Sequence, residues 1–458
     1  MGIAPAGLSE ERTHTASLVL RADRVVLPDG IAAATVVVRD GRVAEVRRGD
    51  GVPGPADLPL VDLPGLVLSP GLVDSHVHVN EPGRTDWEGF ATATRAAAAG
   101  GVTTIVDMPL NSVPPTTTVD ALRAKQAAAS GQLWVDVAFW GGVTSADTRH
   151  VGELAAAGVS GVKVFLAPSG VPEFGHLDGE GLTAALAAAC RHGLPVLVHA
   201  EDPAELAAAP PPAGPRYAGW LASRPAAAEV AAIRQVVAAA ARTGGWAHVL
   251  HLSAAAALPV LAATRSAGAP VGVETCPHYL SLCAEELPDG ATEAKCAPPV
   301  RDAANRAELW DGLRAGLIDC VVSDHSPAPA AAKRTGDFAT AWGGISGLQT
   351  QLPVVWTAAR EHGAGPADLA RWQSEAPARL AGLAAKGAIA VGKDADLVAW
   401  DPDATFVVEP DRLLHRHKLS PWAGRRLAGV VRTTWLRGRS VDPAGPPRGR
   451  MLSRDGPS

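Results

Sequence analysis

Eight short apolar runs that alternate with alanine-rich helical stretches constrain the fold of this chain more than any other feature. The runs begin near residues 70, 102, 134, 161, 195, 248, 271 and 320, and the helical stretches include 89–99, 182–192 and 226–242. Alternating strands and helices favour a parallel sheet, and eight repeats favour a closed (β/α)8 TIM barrel. An open doubly wound sheet is the alternative, but no Gly-x-Gly-x-x-Gly turn follows the first strand, which argues against it.

The sequence pattern at both ends of the chain is different and predicts short strands and tight turns. Alternating apolar residues flank the pair Asp40-Gly41, which is a strong β-hairpin signal. Similar β-rich runs return at 395–400 and 429–438. We therefore predict a small β-sandwich formed by residues 17–65 and 386–441, with the barrel at 66–385 between them. The remaining ends, 1–16 and 442–458, are rich in Gly, Pro and charge and are predicted to be flexible tails.

The composition limits the functional classes. The 458 residues are 47% hydrophobic and 19% charged, with a net charge of -6 and no basic stripe, which argues against nucleic acid as a partner. No apolar run reaches the roughly 18 residues of a membrane span, and residues 1–15 lack the apolar core of a signal peptide. The five scattered cysteines are therefore predicted to be reduced, mostly buried thiols in a cytoplasmic protein.

Side chains that can bind metal stand at the ends of the predicted barrel strands, where such barrels form their active sites. His76 and His78 lie two positions apart on the first strand, so both side chains point to the same face. The other candidates are Lys163, His199, His251 and Asp324. Each of them alone also fits a structural role in the core or in a turn. Their convergence from five strands is what predicts a metal site.

Lys163 is the least expected of these residues, because it lies inside the apolar run Val-Lys-Val-Phe-Leu. A charged amine is costly to bury, so we expect Lys163 either to pair with a carboxylate or to be chemically altered. A buried amine with a lowered pKa can add CO2 and become a carbamate, which is an anionic oxygen ligand able to bridge two ions. That conversion would explain a lysine at this position.

Eight motifs carry a resemblance to a known family, and they occur in the order of the predicted strands. They are VDSHVHVNEPGRTDWEGF (73–90), DMPLNS (107–112), GVKVFL (161–166), VHAED (198–202), ETCPHYL (274–280), KCAPPVR (295–301), SDHSP (323–327) and WGGI (342–345). With these motifs the chain resembles the cyclic amidohydrolases, and within them the allantoinases, from about residue 17 to 440. The resemblance implies a centre of two divalent ions, usually zinc, bridged by Lys163 as N6-carboxylysine, which forms from CO2.

The family pattern also implies a ligand set and a reaction. One ion would bind His76, His78, Lys163 and Asp324, and the other would bind Lys163, His199 and His251. By the same pattern His251 is the ligand, whereas nearby His248 has a structural role. Asp324 would be the catalytic residue that takes the proton from the attacking water and delivers it to the leaving nitrogen. The implied reaction is hydrolysis of the hydantoin ring amide of allantoin to allantoate, in purine catabolism. Cobalt, manganese or iron are alternatives to zinc, and a homotetramer is expected by analogy with the relatives.

Substrate choice separates this chain from relatives that share the metal centre. Dihydroorotases carry an arginine for the substrate carboxylate where this chain has Asn80, which argues against an anionic ring. The tyrosine and Asn-Gly contacts typical of dihydropyrimidinases are replaced here by residues 167–170 and by Gly343-Gly344. Hydantoinase, dihydropyrimidinase and dihydroorotase activities remain the alternatives. A further alternative is a family member that has lost catalytic activity. The presence of all six ligand residues argues against it.

A hydantoin with a ureido arm needs several neutral hydrogen-bond partners. We expect them at Asn80, Asn111, Ser169, Ala297 and Gly344, although such residues are also common in ordinary loops.

Overall fold

A computed structural model describes residues 16–454 of the chain. Its strands are β1 (Leu18–Leu27), β2 (Gly30–Arg39), β3 (Arg42–Arg48), β4 (Leu60–Asp62), β5 (Val67–Pro70), β6 (Leu72–Val77), β7 (Val102–Asp107), β8 (Asp136–Phe139), β9 (Gly141–Gly142), β10 (Val162–Phe165), β11 (Val196–His199), β12 (Ala247–Val249), β13 (Val271–Thr275), β14 (Cys320–Val321), β15 (Leu397–Val407), β16 (Arg426–Leu436) and β17 (Arg439–Ser440).

The α-helices are α1 (Phe90–Ala99), α2 (Val119–Ala129), α3 (Val151–Ala156), α4 (Gly179–Cys190), α5 (Pro203–Ala208), α6 (Tyr217–Ala222), α7 (Ala226–Thr243), α8 (Leu258–Ser266), α9 (Pro277–Ser281), α10 (Ala303–Arg314), α11 (Ala330–Lys333), α12 (Gln351–Glu361), α13 (Pro366–Ala370) and α14 (Ala376–Ala381). A π-helical turn (Arg371–Glu375) joins the last two, and short 3-10 turns lie at Ala255–Ala257, Ala284–Glu286, Thr292–Ala294, Leu348–Thr350 and Pro410–Arg412. None of the helices within residues 16–454 combines the length and the apolar composition that crossing a bilayer requires.

Strands β6 to β14 form the predicted barrel. β6, β7 and β8 pair in parallel, and β9 to β14 pair in parallel in chain order. The predicted run that begins near 134 contains β8, and the two-residue strand β9 follows it directly after Trp140. A parallel bridge between Val77 and His325 closes the ring, with the His78 amide donating to the His325 carbonyl over 2.8 Å. The (β/α)8 barrel is therefore confirmed, because all eight predicted strands take part in it.

The alanine-rich stretches are helical because small side chains let a helix lie close to the barrel wall. In α7, Ala228, Ala232, Ala239 and Ala240 are all buried. This helix follows Pro225 and ends at Gly244, whose φ of 66° suits a residue without a side chain. The predicted stretch 182–192 starts three residues earlier, at α4, since the Asp178 side chain accepts a hydrogen bond from the Gly181 amide and caps the helix.

A small β domain is built from both ends of the chain, as predicted. One sheet has the order β17-β16-β15-β5-β1-β2-β3, with β4 paired to β1. β5, which leads into the barrel, pairs antiparallel with β15, which follows the barrel, and this pairing joins the two halves. The predicted hairpin turns at Asp40 and Gly41, with φ values of 49° and 75°. Its core, which includes Leu20, Val36 and Leu397, is separate from that of the barrel.

The segment after β17 corrects one expectation. Residues 442–458 were predicted to be a flexible tail, but the described part, up to 454, packs against the barrel. The Val137 amide donates to the Arg450 carbonyl over 2.9 Å, and the Leu452 amide donates to the Val137 carbonyl over 2.8 Å. The segment thus covers the edge of β8, where backbone groups would otherwise lack partners. Residues 1–15 of the predicted N-terminal tail lie outside the described residues.

Candidate metal centre

The carboxyl ends of the barrel strands surround a cavity of about 660 Å³, called here the central cavity. All six side chains predicted to bind metal line it, namely His76, His78, Lys163, His199, His251 and Asp324. They come from β6, β10, β11 and the residues directly after β6, β12 and β14. Strand geometry therefore brings together residues that lie up to 248 positions apart in the sequence.

His76, His78 and Asp324 direct three ligand atoms toward one point. One carboxylate oxygen of Asp324 lies 3.2 Å from Nε2 of His76 and 3.7 Å from Nε2 of His78. The ammonium nitrogen of Lys163 lies 3.4 Å from the same Nε2 of His76. Nitrogen and oxygen donors at this spacing around one point fit a divalent transition metal.

His199 and His251 form a second pair next to the first. Nδ1 of His199 lies 3.0 Å from Nε2 of His251, and the ring centroids are 4.7 Å apart. The other nitrogen of His251, Nδ1, is buried and has no hydrogen-bond partner among the described residues. His251 and Asp324 also have positive φ values, 37° and 45°, which are uncommon for residues other than glycine and often mark functional sites.

Two buried carboxylates orient the imidazole rings. Glu274 on β13 lies with Oε1 2.6 Å from Nδ1 of His76 and with Oε2 3.1 Å from Nε2 of His248. Glu201 lies 2.7 Å from Nε2 of His199. A carboxylate on one ring nitrogen keeps the proton there and leaves the lone pair of the other nitrogen facing the cavity. His248 therefore contacts a supporting carboxylate, as its predicted structural role requires.

The sequence contains a signal for Glu274 that the prediction missed. Like Lys163, it is a charged residue inside an apolar strand run, Val-Gly-Val-Glu-Thr. Glu201 has a weaker signal, because it follows His199 by two positions on a strand end. Its partner Arg224 follows α6, and nothing in the local sequence relates that residue to Glu201.

Burial controls the protonation of the site. It lowers the pKa of His76, His78, His199 and His251, so these imidazoles stay neutral and keep lone pairs for an ion. Burial also lowers the pKa of Lys163 to about 8, although the carboxylates of Asp324 and Glu274 oppose that change. The pKa of Asp324 is raised by burial to about 7, against the effect of Lys163.

Lys163 was expected either to pair with a carboxylate or to be altered. Within residues 16–454 no ion pair joins its amine to a carboxylate, and its polar contact is His76. The side chain is 1% exposed. A buried amine with a lowered pKa and no ion-pair partner has the properties that carbamate formation requires.

Four of the five predicted substrate contacts line the central cavity, namely Asn111, Ser169, Ala297 and Gly344. Asn80 does not, and this expectation is corrected. Its backbone has a φ of 66°, and its side chain is buried behind Asn111. Asn80 Oδ1 accepts a hydrogen bond from Asn111 Nδ2 over 3.1 Å, and Asn80 Nδ2 donates to the Pro327 carbonyl over 3.3 Å. Asn80 thus holds Asn111 in place.

The central cavity has further lining residues that the sequence did not single out as contacts. They include Trp220 and Arg224 around the end of α6, and Lys295 in the loop before α10. Lys295 belongs to the motif KCAPPVR, but its side-chain direction depends on contacts with the loop at 341–344.

Comparison with known proteins identifies the family. The family model described as "Amidohydrolase family" matches residues 67–441, which is most of the chain. The chain belongs to the amidohydrolase family. This confirms the family resemblance of the motifs, and the matched range starts at β5 and ends directly after β17.

Curated relatives of this amidohydrolase match more than nine tenths of its length. An allantoinase of Streptomyces avermitilis is 54% identical over 441 residues, which cover 96% of this chain and 99% of that protein. An allantoinase of Arabidopsis thaliana is 41% identical over 91% of this chain and 86% of its own. An allantoinase of Saccharomyces cerevisiae is 40% identical, with coverages of 92% and 94%.

Solved structures support the same architecture. The L-hydantoinase (dihydropyrimidinase) from Arthrobacter aurescens superposes with a TM-score of 0.87 at 31% identity, covering 95% of this chain and 99% of that chain. A dihydropyrimidinase from Brevibacillus agri superposes with a TM-score of 0.85 at 28% identity, covering 96% and 99%. The predicted barrel with a small β domain is therefore the architecture of this amidohydrolase.

Proposed function

We propose that this amidohydrolase is an allantoinase, which hydrolyses the hydantoin ring amide of allantoin to give allantoate. One observation carries the proposal: proteins named allantoinase from a bacterium, a plant and a yeast are 40% to 54% identical to this chain over more than nine tenths of its length. The central cavity supports the proposal, because the side chains proposed to bind metal and the neutral hydrogen-bonding side chains line the same cavity.

We further propose that two divalent ions bind in the central cavity. His76, His78, Lys163 as a carbamate and Asp324 would hold one ion, and Lys163, His199 and His251 would hold the other. Nδ1 of His199 and Nε2 of His251 lie 3.0 Å apart, so in the right tautomers both neutral imidazoles can direct a lone pair toward a shared cation. Nitrogen and carboxylate donors favour zinc, with cobalt, manganese or iron as alternatives.

In the proposed reaction, two bound ions would supply a hydroxide at neutral pH and polarise the ring carbonyl. Asp324 would take the proton from the attacking water and deliver it to the leaving ring nitrogen. Glu274 and Glu201 would keep the imidazoles oriented during the reaction.

Asn111 is the side chain best placed to orient the substrate. Its Nδ2 donates to Asn80, so the orientation of its amide is set. The side-chain oxygen Oδ1 of Asn111 is then available to accept a hydrogen bond from a ring or ureido N–H group. Ser169 is less free, since its hydroxyl contacts the carbonyls of Val171, at 3.1 Å, and Phe174.

A hydantoinase or dihydropyrimidinase is the second candidate, favoured by the likeness to the solved hydantoinase at 31% identity. Four substrates separate the two proposals when they are assayed side by side on the metal-loaded protein: allantoin, hydantoin, dihydrouracil and dihydroorotate. We expect the highest kcat/KM on allantoin. A higher kcat/KM on dihydrouracil than on allantoin would contradict the proposed function.

We also propose that the protein is a homotetramer of the cytoplasm. Four of its five cysteines are buried thiols, and no disulfide joins any of the five. Light scattering on the purified protein tests the oligomer, with four times the subunit mass expected. Fractionation of the source cells tests the location.

A further inference from the structure

One wall of the central cavity carries an aromatic ring close to two cations. The ammonium nitrogen of Lys295 lies 4.3 Å from the Trp220 ring centroid, and the guanidinium of Arg224 lies 5.4 Å from it. The Trp220 Nε1–H donates to the Cys296 carbonyl over 2.9 Å, which fixes the ring. None of these three side chains belongs to the proposed metal ligands, although all three line the central cavity.

Arg224 and Lys295 differ in whether a carboxylate contacts them. Arg224 forms a bidentate ion pair with Glu201, with Nε 2.9 Å from Oε1. Lys295 has no ion pair with a carboxylate in the part of the chain that the structure describes; its polar partner is the Ala341 carbonyl, at 2.6 Å. Asp337 acts on this ammonium only from beyond ion-pair distance, and a cation that is 6% exposed without a contacting carboxylate is costly unless a ligand supplies an acceptor.

Lys295 is also held in one place. Its backbone carbonyl accepts hydrogen bonds from the Gly344 amide and from Nζ of Lys333, each over 2.8 Å. The ammonium has three N–H donors, of which the Ala341 carbonyl takes one and the Trp220 face a second. One donor is left for the cavity. Burial lowers the pKa of Lys295 to about 8, so the amine stays mostly protonated at neutral pH.

We propose that Lys295 and Trp220 form the subsite that recognises the ureido arm of the substrate. Lys295 donates to the ureido carbonyl oxygen, and the Trp220 indole forms the apolar wall beside the ureido group. A ureido carbonyl is a strong neutral acceptor, so it satisfies the ammonium without requiring a charged ring. The inference rests on the proposed function, and it makes Lys295 a specificity-determining residue that separates allantoin from plain hydantoin.

The test compares a substrate that has the ureido arm with one that lacks it. Lys295→Met keeps the length of the side chain and removes the charge and the donors. We expect kcat/KM for allantoin to fall about 10- to 100-fold, as for a lost hydrogen bond to a charged group, and kcat/KM for hydantoin to stay unchanged. Lys295→Arg should restore part of the allantoin rate.

Lys393→Met is the matched control, because Lys393 also donates to a backbone carbonyl, that of Ala384, but lies outside the central cavity. This control should leave both substrates unchanged. Equal losses on allantoin and hydantoin in Lys295→Met would show a structural role for Lys295 and overturn the inference, as would no loss on either. Lys295→Leu, which also lacks charge and donors, replaces the methionine variant if that variant does not fold.

Binding to the inactive Asp324→Asn protein separates this inference from the proposed function. Calorimetry on that background should show Lys295→Met weakening allantoin by the same 10- to 100-fold factor and leaving hydantoin unchanged. Absence of allantoin turnover by the wild-type enzyme would refute the proposed function alone. Equal affinities for allantoin with and without the lysine would refute the subsite alone.

Discussion

Glu274 contacts an imidazole of the proposed metal centre on the side away from the cavity. Replacing Glu274 with glutamine tests whether this contact orients the ring. Its carboxylate is fully buried and contacts His76 with one oxygen, at 2.6 Å, and His248 with the other, at 3.1 Å. Glutamine has nearly the same shape, but it is neutral and presents an NH2 group in place of one oxygen. At least one of the two imidazoles then loses its acceptor or changes its tautomer.

The size of the effect follows from these two contacts. A hydrogen bond to a charged group contributes about 1.5 to 3 kcal/mol, and a neutral one about 1 kcal/mol. Glu274→Gln should therefore lower the free energy of unfolding of the metal-free protein by about 2 kcal/mol. Since His76 would lose its fixed orientation, metal affinity should fall about 10- to 100-fold.

Chelator competition measures the metal affinity, and urea denaturation measures the stability. Glu229→Gln is the control, because Glu229 is also buried and bonds Arg301 at 2.6 Å, but it does not line the central cavity. The control should lose stability and keep its metal affinity. Wild-type metal affinity in Glu274→Gln would refute the view that this carboxylate orients His76.

Three further predictions concern stability. Lys386→Met should destabilise the fold by about 3 to 5 kcal/mol in urea denaturation, because it removes a buried amine that pairs with Asp136 and Asp396, each at 2.6 Å; Asp136 would keep its pair with Arg437, but buried Asp396 would lose its ion pair. Wild-type stability would contradict this. Burial raises the pKa of Glu201, but Arg224 and His199 outweigh it and hold that pKa at about 2. A carboxyl group whose pKa is lower in the folded than in the unfolded protein stabilises the fold at pH values above the unfolded pKa. The free energy of unfolding should therefore fall by about 3 kcal/mol as the pH drops from about 4.5 to 2, and Glu201→Gln should lose less stability over that range. Deleting residues 442–458 should lower the melting temperature, whereas a free tail would leave it unchanged.

The barrel could be predicted because its signal is local. Each apolar run and most alanine-rich stretches can be recognised within a dozen residues. The hairpin signal of Asp40-Gly41 is equally local. The packing of the C-terminal segment is different, since it depends on a backbone pair, Val137 with Arg450, that lies more than 300 positions apart. A segment rich in Gly and Pro gives no strand signal that would reveal such a pair.

The candidate site divides in the same way. Lys163 and the histidines stand out because polar side chains are unusual at the ends of buried strands. Asn80 was predicted to contact the substrate, but its side-chain direction depends on a φ of 66° that composition does not reveal. Lys295 lies in a recognised motif, yet its place in the cavity depends on Ala341, in the loop after α11, and on Trp220, in α6, which are both distant in the sequence.

The most direct test of the metal centre is the metal content of the protein, measured by elemental analysis together with the rate on allantoin. The wild-type protein should hold two divalent ions per chain. Lys163→Ala should hold fewer and lose nearly all activity, because Lys163 is proposed to bridge both ions. Two ions per chain and full activity in Lys163→Ala would contradict the proposed centre.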